Sequence, residues 1–412
     1  MQDHVVLFDM AKRNWYSMVP LINSLDASCI STEIRASTDI MNDLGVAVNK
    51  YEKIVCCFSF FTTQRPIVVE LVEEIRGLGD NIYLVAGGPH ATGRPRETLE
   101  MGFDVVVRGE GEVVFPGVIG MLLDQGRQPA GWPIVQGRPL DDLDAFPPVS
   151  MKFGLYPPIE ITRGCLFGCG YCSVPGNFGT IRHRSIESIL KAATGLIDLR
   201  GSWDFRFVSP NSMGYGSYTL RPNGTAVAEL LSSLRALEGR KRIFFATFPS
   251  EARPDFVTED LVETVKEYAD NRSICIGAQS GSDGVLRAIN RGHDTDSVRR
   301  AVEIILGADL KPIVDFILGL PFEEESDQVR SVEFMREIIQ MGGRVRVHHF
   351  LPLAGSALGD MEPAPIARSV MSEIGRLALV GGATGSFTEQ MRMAREIIGW
   401  EKLSSSRSNS GR

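Results

Sequence analysis

Short apolar runs separated by amphipathic stretches set the rhythm of this chain. Val5–Phe8, Ile54–Phe58, Ile82–Ala86 and Asp104–Val107 are compact and apolar, as strands buried on both faces are. Between the second and third, Arg65–Arg76 (RPIVVELVEEIR) is apolar at helical spacing, and Glu112–Leu123 follows the fourth. Strands alternating with helices predict a parallel, doubly wound α/β sheet, Rossmann-like, over residues 1–125. Residues 126–157 are rich in Pro, Gly and Asp without periodicity. They predict a linker closing on a single edge strand.

The alternation then resumes. Strands are expected at Ile159–Thr162, Phe205–Ser209, Ile243–Thr247, Ser273–Ala278, Ile313–Leu318 and Val345–Phe350. Helices are expected at Ser185–Leu199, Gly224–Leu237, Thr258–Tyr268, Asp294–Leu306 and Asp327–Met341. Six strand–helix units are too few for an eight-fold barrel. They predict a partial (β/α)6 barrel over 158–351, with its site at the C-terminal strand ends. A small helical C-terminal region, 352–403, has Arg368–Trp400 as one helical stretch; 404–412 reads as a polar, disordered tail.

Composition narrows the function classes. There are 43 basic and 51 acidic residues, a formal net charge of −8. That gives no electrostatic reason to expect a nucleic-acid partner. No apolar run is long enough to span a bilayer, and the first residues carry no secretory pattern, so a cytoplasmic location is expected.

The seven cysteines are too sparse for a disulfide framework, yet three fall in Arg163-Gly-Cys-Leu-Phe-Gly-Cys-Gly-Tyr-Cys172, directly after the first barrel strand. Three thiolates on one loop suit an iron–sulfur cubane, holding three irons and leaving the fourth open. Gly164, Gly168 and Gly170 let the backbone wrap tightly and offer N–H groups to the sulfides. A zinc knuckle would need a fourth ligand nearby, and His183 is too far along the chain for a common zinc spacing. Three packed core cysteines would not need the flanking glycines.

In the first domain, three polar or glycine-rich turns end successive strands: Ser59-Phe-Phe-Thr-Thr63, Gly87-Gly-Pro-His-Ala91 and Arg108-Gly-Glu-Gly-Glu112. All lie at the C-terminal edge of one parallel sheet, where doubly wound folds bind ligands.

From Ile159 to about Leu351 the chain resembles the radical S-adenosylmethionine (SAM) superfamily, through the cysteine spacing and Tyr171. The resemblance makes Cys165, Cys169 and Cys172 the ligands of a [4Fe–4S] cluster that binds SAM at its open iron. It assigns the SAM pocket to Ser209, Asn211, Ser250, Gln279, Ser280, Arg291, Gly319 and Leu320, with Gly319 giving a flat base access to the backbone. The usual Gly-Gly-Glu after the second strand is absent. Residues 1–125 resemble the cobalamin-binding domain that precedes many such barrels, through the Gly-Gly-Pro-His and Gly-Glu-Gly-Glu segments. The resemblance implies corrin contacts from Ser59, Thr62, Thr63, Gly87, Gly88, His90, Arg108, Gly109, Glu110 and Gly111. The cobalt-ligating Asp-x-His-x-x-Gly of cobalamin mutases is missing; Asp9-Met-Ala-Lys-Arg-Asn-Trp-Tyr16 stands there. Asn14, Trp15 or Tyr16 would then meet the lower corrin face, and His90 is read as a structural turn residue. Tyr16 and Tyr215 are the candidate catalytic hydroxyls.

What the two resemblances imply is a cobalamin-dependent radical SAM C-methyltransferase. It would move a methyl group from SAM, via methylcobalamin, to an unactivated sp3 carbon after hydrogen abstraction by the 5′-deoxyadenosyl radical. The pattern also resembles the enzymes that methylate a glutamine α-carbon in methyl-coenzyme M reductase, implying a protein or peptide substrate. The electron donor would be a ferredoxin or flavodoxin. His348 and His349 end the last expected strand and face either substrate or ordinary packing. Two other readings stay open: a cobalamin-assisted cyclase or rearrangement enzyme, and a non-catalytic corrinoid or redox sensor.

Overall fold

The computed structural model describes residues 2–10, 14–125 and 133–409. It divides into two compact units. The first comprises 1–157 with the short segments 176–178 and 353–355; the second comprises 158–175, 179–352 and 356–412.

The first unit is a six-stranded sheet in the order β2-β1-β3-β4-β5-β6, every pairing parallel. The strands are β1 (Gln2–Asp9), β2 (Glu33–Ser37), β3 (Tyr51–Ser59), β4 (Ile82–Gly87), β5 (Val105–Arg108) and β6 (Ile134–Gln136). Alternation along each strand feeds two cores. Val5, Leu7, Ile54, Cys56 and Phe58 face one side with Val68, Val72 and Ile75 of helix Arg65–Arg76. Val6, Phe8, Val55 and Cys57 face the other, with Ile119 and Leu122 of helix Phe115–Gln125. The expected doubly wound α/β domain is therefore present, with differences in detail. Strand β2 and helices Trp15–Asp26 and Ile40–Ala47 carried no clear pattern. The edge strand β6 falls inside the expected linker rather than at its end.

The second unit is also built on parallel pairings. Strands β7 (Ile159–Glu160) and β11 (Phe207–Val208) pair, as do β10 (Ser202–Phe205) and β12 (Arg240–Ile243). Strands β13 (Ser273–Gln279), β14 (Lys311–Leu318), β15 (Arg344–His349) and β16 (Ala383–Thr384) form a four-stranded sheet. Backbone bonds Phe244 N→Phe205 O at 2.9 Å and Cys275 N→Ala246 O at 2.8 Å continue the ladder beyond the ends of these strands. The five helices fall where expected, at Ile186–Arg200, Gly224–Ala236, Glu259–Tyr268, Thr295–Gly307 and Glu325–Met341.

Two corrections concern the end of the chain. The single helix expected over Arg368–Trp400 is two, Arg368–Leu379 and Phe387–Asn409. Gly381 and Gly385, at φ of +72° and +128°, break it and admit the short parallel strand β16. The second helix also runs to Asn409, into the stretch read as a disordered tail. None of the helices among the described residues is long and apolar enough to cross a membrane.

Candidate functional site

The cysteines sit on an excursion leaving strand β8 (Thr162–Arg163) and returning through β9 (Arg182–His183). A two-residue antiparallel ladder clamps its base, Thr162 opposite His183 and Arg163 opposite Arg182. Arg163 is buried and forks onto Glu160 through two bonds of 2.9 and 2.8 Å. Gly164 has φ +78°, and a Cβ there would lie 2.1 Å from the Thr180 carbonyl, so glycine alone fits where the two arms cross. Farther along, Gly170 N donates to Ile289 O at 2.8 Å, and Asn290 Nδ2 donates to Gly168 O at 3.1 Å. The Gly170 amide is therefore bonded within the protein, contrary to the expectation that it serves the sulfides. Asn290 holds its own backbone at φ +53° to do this, a strained state that clusters at functional sites.

Cys169 is buried; Cys165 and Cys172 are half-buried. Burial raises the Cys165 thiol, and Cys172 is pushed up to about 11 by burial and by Cys169 and Cys165, with Arg291 opposing. Arg291 Nη1 lies 3.6 Å from Cys169 Sγ. No three His, Cys, Asp or Glu side chains among the described residues converge as ligands of one ion do; cysteines that each take a different iron of a cubane need not. Three thiols of mutually felt charge beside two buried arginines suit an anionic iron–sulfur cluster. Tyr171 packs against the cluster of Val285, Leu286, Ile289, Leu320, Phe350 and Leu358, which fastens the excursion to the barrel core.

The residues assigned to SAM divide into two groups. Ser209, Asn211 and Ser250 are buried and satisfy one another's neighbours: Ser250 Oγ donates to Ser209 O at 2.7 Å, and Asn211 Oδ1 accepts from Arg253 N at 3.0 Å. Ser280 is also fully buried, its hydroxyl accepting from Ser282 N at 3.1 Å and lying 3.3 Å from Ser331 Oγ of helix Glu325–Met341. Their side chains have structural work in this state. Gln279 and Arg291 lie together over Gly277: a Cβ on Gly277 would stand 2.2 Å from Gln279 Nε2 and 2.9 Å from Arg291 Nη2. Gln279 has φ +74°, another strained residue at a strand end. Gly319 has φ +79°. A Cβ there would lie 2.9 Å from His349 Nε2, so the glycine accommodates a histidine ring. Leu320 is core. Tyr215 is buried, its hydroxyl donated to Arg184 O at 2.7 Å, which gives it a structural task and not an evident catalytic one.

Sequence reasoning missed several charged groups in this unit. Arg253, in the irregular loop Glu251-Ala-Arg-Pro, is 3% exposed and stacks its guanidinium 3.4 Å above the Phe167 ring. Register aligns Gly277, Asp315 and Arg346 across β13, β14 and β15. Arg346 there grips Asp315 with two bonds of 2.5 Å and reaches Glu251 at 2.6 Å. Glu323 is buried and accepts from Gly319 N at 2.5 Å, with Oε1 unpartnered. Burial pushes its carboxyl up to about 8. Polar residues in irregular loops have no periodicity to betray them; for Glu323, the glycine turn four residues earlier was the available signal.

In the first unit, strand order reverses between β1 and β3, the switch point where such sheets bind ligands. Asn14 spans it, donating from Nδ2 to Asp9 O and Ser59 O, each at 3.0 Å. Its Oδ1 is buried without a partner. Ser59 bonds Ser17 at 2.7 Å. Gly88 (φ +86°) passes so close that a Cβ would meet Ser59 Oγ at 2.5 Å. His90 is 2% exposed, its ring tilted against Phe60, with Nδ1 3.3 Å from Thr62 Oγ1 and Nε2 without a hydrogen bond, 3.9 Å from Glu97 Oε2. Burial, then Arg65 and Arg94, hold it neutral down to about 3. Asn14, Ser59, Thr62, Gly87, Gly88 and His90 thus gather at one edge, with Thr63 in the turn after β3. Arg108 ends β5 and Gly109, Glu110 and Gly111 follow it; Gly109 N donates to Thr92 Oγ1 at 3.0 Å, and Glu110 Oε2 accepts from Leu140 N at 3.3 Å. Trp15 Nε1 donates to Met10 O at 3.2 Å, and burial raises the Tyr16 phenol. Residues 11–13 of the expected lower-face stretch lie outside the described residues. Two buried polar atoms without a hydrogen bond, Asn14 Oδ1 and His90 Nε2, and the Gly88 cradle suit a large polar cofactor laid on this edge.

Comparison with known proteins identifies both units. The model for the radical SAM superfamily matches residues 159–335, and that for the B12 binding domain matches 41–119. The chain joins a B12-binding domain to a radical SAM domain. Such domains go with a [4Fe–4S] cluster, SAM and cobalamin. An uncharacterized protein of Methanopyrus kandleri is 24% identical over 257 residues, 58% of this chain and 49% of its own length. A tRNA-2-methylthio-N(6)-dimethylallyladenosine synthase of a Ruegeria species is 30% identical over 186 residues, 44% of this chain and 40% of its own. The chain thus spans half or less of the length of these curated relatives. The radical SAM methyltransferase TsrM of Kitasatospora setae, solved with cobalamin and a [4Fe–4S] cluster, superposes with a TM-score of 0.65 at 15% identity. That match covers 87% of this chain and 77% of TsrM, a likeness of fold.

Proposed function

We propose that the protein is a cobalamin-dependent radical SAM methyltransferase acting on an unactivated sp3 carbon. The observation that carries this is the three-cysteine excursion on a radical SAM barrel in one chain with a B12-binding sheet. When bound, the cluster and SAM supply a hydrogen-abstracting radical and the corrin supplies a methyl carrier. The chain's own part is placement. Cys165, Cys169 and Cys172 hold the cluster, and Asn290 and Ile289 fix the loop that carries them. Gln279 presents its side-chain amide beside Gly277 for SAM, with Arg291 held next to it. Asn14, Ser59, Gly88 and His90 receive the corrin edge, with Trp15 and Tyr16 toward its lower face. We take the substrate to be a protein or peptide, a glutamine of methyl-coenzyme M reductase being one to assay, and the reductant a ferredoxin or flavodoxin.

Methylthiolation is the second reading, favoured by the relative named a tRNA methylthio synthase. Anaerobic turnover with methyl-labelled SAM, cobalamin, a reductant and candidate peptides separates the two by product mass. One added methyl per 5′-deoxyadenosine supports methyl transfer. An added sulfur, or 5′-deoxyadenosine with an isomerised product and no label, overturns it.

A further inference from the structure

Two buried arginines back the cysteine excursion, and the proposed function gives neither a task toward the cluster itself. Arg291 is 7% exposed and fixed from three sides. Its Nη1 meets Cys169 Sγ at 3.6 Å, its Nη2 donates to Gly277 O at 2.8 Å, and its Nε donates to His293 Nε2 at 2.9 Å. Arg253 is 3% exposed and lies flat on Phe167, the middle of the three residues between the first two cysteines. It donates from Nη2 to Arg291 O at 2.8 Å, which ties the two arginines together. Asp255 is the carboxylate that faces them, accepting from Arg253 Nε at 3.0 Å and Nη2 at 3.2 Å. Arg253 Nη1 is buried with no hydrogen-bond partner.

Two guanidinium cations facing one carboxylate, with a buried donor left over, make an unfavourable arrangement unless an anion comes to rest there. We infer that Arg253 and Arg291 form a cationic backing for the cluster held by Cys165, Cys169 and Cys172, and that it raises the cluster's reduction potential. The physics is direct. A cubane with three thiolate ligands is anionic, and reduction adds one more negative charge. Fixed positive charge in a poorly solvated site favours the more negative state, and N–H groups aimed at cysteine sulfur act in the same direction. Both arginines are therefore positioning residues: they act through the cluster and its ligands, not on substrate.

The inference rests on the cluster reading, so the test separates the two. Full-length protein, reconstituted anaerobically with iron and sulfide, is titrated electrochemically while the reduced cluster is followed by electron paramagnetic resonance. Arg253→Gln and Arg291→Gln should each disfavour one-electron reduction by about tenfold, a downward shift of about 59 mV. Asp255→Asn frees Arg253 from its counter-ion and should shift the midpoint upward. This variant alters a partly exposed side chain, so it decides the matter even if the arginine variants fail to hold iron. Midpoints that coincide with wild type, or an Asp255→Asn shift downward, overturn the inference. Wild-type protein with no [4Fe–4S] signal strikes at the cluster reading instead.

Discussion

Gly164 is the position where backbone geometry and cofactor chemistry meet most directly. Replacing it with alanine places a methyl group 2.1 Å from the Thr180 carbonyl oxygen while the backbone sits at φ +78°. The left-handed conformation costs a non-glycine residue about 1–2 kcal/mol. Overpacking against an atom that cannot rotate away adds about 1–3 kcal/mol. Thr180 is on the returning arm of the cysteine excursion, so relief requires the β8–β9 ladder to open. A total of about 2–5 kcal/mol disfavours the cluster-ready loop by roughly 30-fold or more. Gly201→Ala is the control. It has φ +69° with open space around it, so it should cost only the left-handed backbone penalty of about 1–2 kcal/mol and leave iron binding alone. The assay is iron and sulfide per chain after anaerobic reconstitution, beside thermal melts of both variants. Gly164→Ala should lose most of its iron while still melting cooperatively. Wild-type iron content and SAM cleavage in Gly164→Ala would refute the reasoning.

Two further predictions concern buried charge. Arg346→Met strands Asp315, whose side chain is 5% exposed; removing one partner of such a pair should cost about 3 kcal/mol in urea unfolding, and adding Asp315→Asn should recover part. A loss below about 1 kcal/mol would mark the pair as no better than a surface bridge. Glu323 has a folded pKa of about 8 against an ordinary 4.5, so its stabilising proton is fully present below 4.5 and is lost as pH rises through about 8. Stability should therefore fall across that window by up to about 1.4 kcal/mol per pH unit from this group. Glu323→Gln should flatten the fall; parallel wild-type and variant curves from pH 5 to 9 would contradict the assignment.

Much of the fold was legible because its strands are buried on both faces. Val5–Phe8 and Ile54–Phe58 are apolar in every position and stand between two cores. Glu33–Ser37 escaped notice because it is an edge strand, mostly half-buried, with no alternation to read. Helix Trp15–Asp26 was hidden by Pro20 in its interior. Ala383–Thr384 is two residues long and exists only because β15 offers it a partner. At the site, the cysteines announced themselves by spacing. Ser209, Asn211 and Ser250 did not distinguish a ligand contact from a network among themselves, since a polar residue at a strand end reads alike in both cases. Nor did the sequence signal that Gly319 faces His349, because that neighbour comes from another strand.

The most direct test of the whole account is spectroscopy of anoxic protein with and without SAM. The account predicts a [4Fe–4S] cluster whose signal changes when SAM binds, 5′-deoxyadenosine on reduction, and the loss of both when Cys165, Cys169 and Cys172 become alanine. Zinc at that loop, or a SAM-cleaving cluster surviving the triple substitution, would contradict it.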